Sequence, residues 1–283
     1  MKGTDGGKYD PNLPFAYFIA GKHTQDTQHP NLLIAVNEVE SAKDLDALDR
    51  SCDERRVLLD SGIFNLAMSH ARAHGTTHDE ALSLAPEEID GFEPLWDRYG
   101  DVVTRFKDRL WGVIELDQGG VANKPRIRQR IETEFGIIPM PVYHPLLDGW
   151  EYYDTLAGEY DRLCVGNLVK ASPPVRLRLL WTIRERSIKY PALWHHLLGA
   201  TPNENALSMT IKGSCDSSSW CTGLRWFPAW KAPSMAKMVT KFPPTMWYVD
   251  GGDYSKGHAV CGLSATALQL TLDSLVEDTH PCL

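Results

Sequence analysis

Acid, imidazole and amide side chains stand directly after apolar runs in this chain, where burial is costly unless the group is paired or put to use. Asp60-Ser61-Gly62 follows one run, Glu115-Leu116-Asp117-Gln118-Gly119-Gly120 a second, and His144 a third. Gly166-Asn167-Leu168, Gly199-Ala200-Thr201-Pro202 and Asp216-Ser217-Ser218-Ser219 follow others. Carboxylates in such places suit nucleophilic and general acid–base work, and glycines beside them let a planar ligand approach the backbone. Each feature alone has a structural explanation: a strand-end Asp caps a helix, and a lone Gly makes a turn. Their recurrence at one run end after another describes a polar rim.

The elements that must position this rim follow from hydrophobic patterning. Short, mostly non-alternating apolar runs cover residues 15–20, 32–36, 57–59, 110–114, 137–143, 163–165, 193–198 and 211–215, as expected of strands buried on both faces. Amphipathic stretches of helical length lie between most of them, among them 64–74, 124–135, 150–160 and 175–188. Strand and helix alternating in this way predict an α/β fold, a (β/α)8 TIM barrel, with an open doubly wound sheet as the rival. The first two connections fit least well. Residues 75–109 read as a helical insertion after strand 3, and residues 217–283 as a C-terminal extension of a single barrel domain spanning 1–283, with a closing helix at 265–276.

The 283 residues are 43% hydrophobic and 23% charged, the composition of an ordinary globular chain. No apolar run approaches the roughly 20 residues of a membrane span, and the first residues lack the apolar core of a signal peptide. Six cysteines without a CxxC pair are expected to be reduced. A cytoplasmic location without membrane association follows as the expectation. The net charge of −8 argues against nucleic acid until it is divided along the chain. Residues 79–101 hold eight acidic side chains against Arg98 alone, which leaves the remainder near neutral. Within that remainder, Arg225, Lys231, Lys237 and Lys241 alternate with Trp220, Trp226, Phe227, Trp230, Phe242, Trp247 and Tyr248 and no carboxylate, the mixture a phosphate-and-base ligand needs. Such aromatics also serve as plain core. Arg176, Arg178, Arg184, Arg186 and Lys189 form a second basic set, and Arg126, Arg128 and Arg130 a weaker one; each reads either as a solvated helix face or as phosphate contacts.

Asp60-Ser-Gly-Ile-Phe-Asn65 resembles the Asp-Ser-Gly-Gly-Phe-Gln motif of tRNA-guanine transglycosylases, and Leu198-Gly-Ala-Thr-Pro-Asn-Glu204 resembles their Gly-Val-Gly-Thr-Pro-Glu segment. Together with Val165-Gly-Asn-Leu168 and Cys215-Asp-Ser-Ser-Ser-Trp220, the Asp60 segment is more similar still to phage-type relatives that exchange guanine for a 7-deazaguanine in DNA. The likeness spans about residues 12–222. It implies a pentosyltransferase in which Asp216 attacks the sugar C1′ and displaces guanine, and a free 7-deazaguanine base, such as 7-cyano-7-deazaguanine, then replaces it. Asp60 would be the acid/base, with Ser61 beside it. Glu115 or Asp117 would bind the purine edge, Gly166, Asn167, Leu168 and Gly199 would frame the base, and Phe64 would stack on it. His144 stands where the family usually has glutamine. In a phage-encoded protein the setting would be the host cytoplasm.

The chain departs from that family at several points. It lacks the Cys-x-Cys-x2-Cys and later His of the tRNA enzymes' zinc site; Cys221, His258, Cys261, His280 and Cys282 offer at most an irregular set, and neither zinc nor another cofactor is expected. Ile63 replaces the motif's second Gly, and Asn167 replaces a strand-six Gly. The absence of the zinc motif favours DNA as partner, with tRNA as the alternative. A catalytically silent barrel that binds nucleic acid or a partner protein, and a hydrolytic base-removing glycosidase, are the other readings.

Overall fold

A computed structural model describes residues 1–13, 15–21, 24, 27–200 and 213–218. Its strands fall in or beside the apolar runs: β1 (Ala16–Ala20), β2 (Asn31–Ala35), β3 (Arg56–Asp60), β4 (Gly112–Val113), β5 (Val142–Tyr143), β6 (Arg162–Val165), β7 (Trp194–Leu197) and β8 (Gly213–Ser217). All pair in parallel, in the order β4-β3-β2-β1-β8-β7-β6-β5. The two outer strands, β4 and β5, are thus consecutive in the chain. Beyond their ends, Ile114 and Met140 form a parallel bridge, with Met140 N–H donating to Val113 O at 2.7 Å and Glu115 N–H to Met140 O at 3.1 Å.

Alternation along the strands sorts side chains between two cores. Val57, Leu59, Leu163, Val165 and Leu197 pack against the helices. Phe18, Leu58, Trp111, Val142, Cys164 and Trp194 meet on the other face, and rings from β1, the residue before β4 and β7 touch there: Phe18 lies 5.0 Å from Trp111, and Trp111 lies 5.7 Å from Trp194. Side chains on strands so far apart in pairing order can meet only because the sheet curls with this face inward. Arg162, inward at the start of β6, plugs the lower end with bonds to the carbonyls of Thr4, Asp5 and Trp111 and lies over the Tyr9 ring.

The helices are α1 (Ala42–Glu54), α2 (Ile63–His74), α3 (His78–Ser83), α4 (Phe92–Phe106), α5 (Gly120–Phe135), α6 (Trp150–Glu159) and α7 (Pro173–Ser187). Helix α1, between β2 and β3, begins at a capping box in which Ser41 and Asp44 satisfy each other's backbone N–H. No helix crosses between β1 and β2 among the described residues. Residues 75–109 carry α3 and α4. Glu87 pairs with Arg126 and Glu93 with Arg130 on α5, while Asp79 pairs with Lys170 in the turn after β6. No helix among the described residues is long and apolar enough to cross a membrane. Cys52, Cys164 and Cys215 are free and buried.

Candidate active site

Strand register decides which polar groups share the inward face. Phe18 aligns with Asp216, Ala35 with Asp60, and Cys164 with both Val142 and His196, so Asp60, His196 and Asp216 stand inward at the C-terminal ends of β3, β7 and β8. Asp216 lies inside β8, as its penultimate residue, rather than just after the strand as expected. Its Oδ1 accepts the backbone N–H of Gly199 at 2.9 Å and His196 Nε2–H at 3.2 Å. Gly199 reaches this position at φ 68°, in the left-handed region open to glycine.

A relay fixes the His196 ring. Trp194 Nε1–H donates to Ser214 Oγ at 2.9 Å, and that oxygen lies 2.8 Å from His196 Nδ1. The Asp216 carboxylate is an acceptor, so Nε2–H is aimed at it, and the Ser214 hydroxyl is free to donate to Nδ1. The neighbouring His195 faces the helix layer, where Tyr153 bonds it at 2.9 Å and burial pulls its pKa down to about 4. Of two adjacent histidines, alternation assigns one to the core and one to the site.

Asp60 is the electrostatic opposite of a paired carboxylate. Burial, the Asp216 charge and the Asp117 charge push its pKa up to about 7, against a single opposing hydrogen bond from the Gly62 N–H. Asp117 experiences the same burial, but the bond from His144 Nε2–H at 2.8 Å and the nearby Lys124 charge outweigh it and hold Asp117 below the usual carboxylate range. Lys124 in turn spends its three donors on Val142 O, His144 Nδ1 and Asp148 Oδ2, at 3.1, 3.3 and 2.6 Å. Asp148 Oδ2 also accepts the His144 N–H. His144 therefore orients Asp117 and is itself oriented from beneath.

Glu115 is otherwise engaged: Arg128 donates to one oxygen at 2.7 Å and the Val142 N–H to the other at 2.6 Å, both with full burial of the carboxylate. Of the two candidates for the purine edge, Asp117 is the one facing Asp60 and His144. A Cβ on Gly166 would come within 2.6 Å of the His144 ring, so the backbone at the end of β6 passes against that imidazole. Asn167 holds φ 59°, in the left-handed region that asparagine tolerates, and its buried Nδ2 has no hydrogen-bond partner among the described residues. Leu168 is buried, and its carbonyl receives Arg176 Nε at 2.9 Å. Ser61 is buried and accepts the Ile63 N–H at 3.4 Å. Phe64 is 47% exposed at the start of α2, its ring 4.6 Å from that of His78. Leu146, Leu147 and Val169, in the turns after β5 and β6, are also exposed.

The basic set on α7 divides. Arg176 is spent on the carbonyls of Leu168, Val169 and Ala171, and Arg186 pairs with Asp154 at 2.5 Å and lies over Trp150. Arg178 and Arg184 are exposed. Because α7 runs from the end of β6 back toward the start of β7, Arg184 and Arg186 lie about 16 and 20 Å along the helix from the rim; Arg176 and Arg178 stand nearer to it, Arg176 already bonded to carbonyls. Arg126 and Arg130 serve the acidic segment, and Arg128 serves Glu115. Thr201, Pro202, Ser219, Arg225, Lys231, Lys237, Lys241, the cysteine and histidine set from Cys221 to Cys282 and the 265–276 helix lie outside the described residues.

His196, Ser214, Lys124 and Asp148 were not singled out from sequence. His196 lay hidden inside an apolar run, and the signal available was two polar residues, His195 and His196, in a strand otherwise fit for burial. Comparison with protein-family models finds no match, and no curated protein matches the chain significantly.

Proposed function

We propose that this chain is a nucleobase-exchanging glycosyltransferase that replaces guanine in DNA with a 7-deazaguanine, on a (β/α)8 barrel closed through the Ile114–Met140 bridge. The observation that carries the reading is the contrast between two inward carboxylates at one end of the sheet. Asp216 is oriented by two N–H donors on Oδ1, while Asp60, within range of its charge, has a pKa pushed up to about 7. Two titratable groups held in unlike environments are the usual basis for dividing nucleophile from acid/base.

In this reading, Asp216 attacks C1′ through Oδ2. The C1′–N9 bond breaks, its electron pair leaves with guanine, and guanine takes a proton from Asp60. The incoming 7-deazaguanine returns a proton from N9 to Asp60 while N9 attacks C1′, and Asp216 is released as a carboxylate. Bonds and protons balance with the protein's own groups, and two displacements retain the configuration at C1′. Asp117 accepts from the purine edge, Asn167 Nδ2 donates to it, and Phe64 offers a stacking face. Duplex DNA must extrude its guanine for C1′ to reach Asp216, and the exposed apolar side chains around the rim suit an opened strand. A cytoplasmic setting, a host cell's for a phage protein, supplies such a substrate.

The test is incorporation of radiolabelled guanine or 7-cyano-7-deazaguanine into duplex DNA, single-stranded DNA and bulk tRNA, each repeated with Asp216→Ala. Label entering DNA and lost in the variant supports the proposal. Label entering tRNA alone transfers the chemistry to tRNA, and binding without label in any polymer favours a silent barrel.

A further inference from the structure

Further along α2 from Phe64, His70 and His74 stand one helical turn apart, their rings stacked at 4.1 Å and 23°. Asp90, from the turn before α4, brings Oδ2 to 3.6 Å from His70 Nδ1 and 3.5 Å from His74 Nε2. His74 Nδ1–H donates to the His70 carbonyl at 3.1 Å, which turns Nε2 toward Asp90. The Asp90 backbone N–H donates to His70 Nδ1 at 3.3 Å. One nitrogen of each imidazole and a carboxylate oxygen are thereby gathered at one point on the surface.

The 3.5–3.6 Å separations are too long for good hydrogen bonds. They come close to the roughly 3.4 Å edge between N and O ligands held about 2.1 Å from a tetrahedral metal. The ligand atoms of all three residues lie within 4.8 Å of one another. Histidines at i and i+4 present adjacent donors on one helix face, and the His74 Nδ1–H bond to a carbonyl is the outer support that metal-binding imidazoles use.

We propose that His70, His74 and Asp90 bind a zinc ion, with water as the fourth ligand. The metal clamps the acidic 75–109 segment to α2, the helix that leaves the Asp60 turn, and is structural. It replaces the long bond from Asp90 N–H to His70. The proposal is independent of the base-exchange reading and concerns none of the groups assigned to that reaction.

The experiment is zinc titration of the full, chelator-stripped chain against a chromophoric competitor, with metal content measured after gel filtration. His74→Ala and Asp90→Ala are the informative variants, because both side chains are exposed. The expected result is one equivalent of zinc that raises the wild-type melting temperature, weakened more than about 100-fold in either variant, beyond what loss of an outer support costs. Cys261→Ser should leave that equivalent in place. Wild-type protein that retains no zinc, binding unchanged in both variants, or binding abolished by Cys261→Ser instead, overturns the proposal.

Discussion

His196 Nε2 meets Asp216 Oδ1 at 3.2 Å across the β7–β8 pair, while its Nδ1 meets Ser214 Oγ at 2.8 Å on the same strand as Asp216. The imidazole is thus fixed at both nitrogens, and the carboxylate it orients keeps Oδ2 without a bond among the described residues. Strand pairing sets the His196–Asp216–Ser214 geometry, and the Gly199 N–H from the turn after β7 adds a second donor to Asp216 Oδ1.

In the proposed reaction His196 acts through Asp216, so its replacement should affect the chemical step more than binding. His196→Ala is expected to lower kcat about 100-fold, the scale of a misplaced reacting group, with KM little changed and circular dichroism intact. His196→Gln, which keeps a donor near Nε2, should recover part of the loss. A KM effect without a kcat effect would remove the positioning role.

Asp60 makes a pH prediction of definite sign. Its folded pKa of about 7 lies above the unfolded carboxylate value of 3.8. The folded state therefore binds the proton more tightly, and the group costs stability increasingly as pH rises from about 4 to about 7. Asp60→Asn should be more stable than wild type above pH 7, by a few kcal/mol, with the difference vanishing near pH 4. Denaturant titrations at the two pH values check it. Activity that needs protonated Asp60 should fall as pH rises through 7, and a flat kcat/KM between pH 6 and 8 would exclude Asp60 as the acid.

The strands and most helices were legible because buried parallel strands write themselves as continuous apolar runs. Helix α1 was not, since its signal is a capping box at Ser41 and Asp44 rather than a long apolar stripe. The inward partnership of His196 with Asp216 depends on register between β7 and β8, a non-local fact invisible in either strand alone. Asp60 and Asp117 could be nominated from their places after apolar runs, but only the three-dimensional neighbours separate the carboxylate pushed up by its environment from the one held down by His144. The α7 arginines show the converse: their periodicity reveals a helix without revealing which end of it faces the rim.

Lys124 and Asp148 form a fully buried pair at 2.6 Å beneath His144. Lys124→Met removes the charge and the donors that serve Asp148, His144 and Val142, and should cost about 3–5 kcal/mol by leaving a buried carboxylate unpaired. Urea denaturation measures it, and a change below about 1 kcal/mol would mean that the pair is not closed in solution.

Phe64 is exposed, so Phe64→Ala should leave the melting temperature unchanged. If the ring stacks on a base, the variant should lose about 1–3 kcal/mol of polymer or base affinity, a 5- to 150-fold rise in KM. Equal KM values for wild type and variant would assign the Phe64–His78 contact to packing alone.

The central claim is a covalent bond between Asp216 and the sugar. Protein incubated with end-labelled guanine-containing DNA, quenched in acid without added base and digested for mass spectrometry should yield a glycosyl ester on the peptide containing residues 213–218. The adduct should disappear on chasing with 7-cyano-7-deazaguanine and be absent from Asp216→Ala. Base exchange that proceeds at full rate in Asp216→Ala, or an adduct mapped to another residue, would contradict the account.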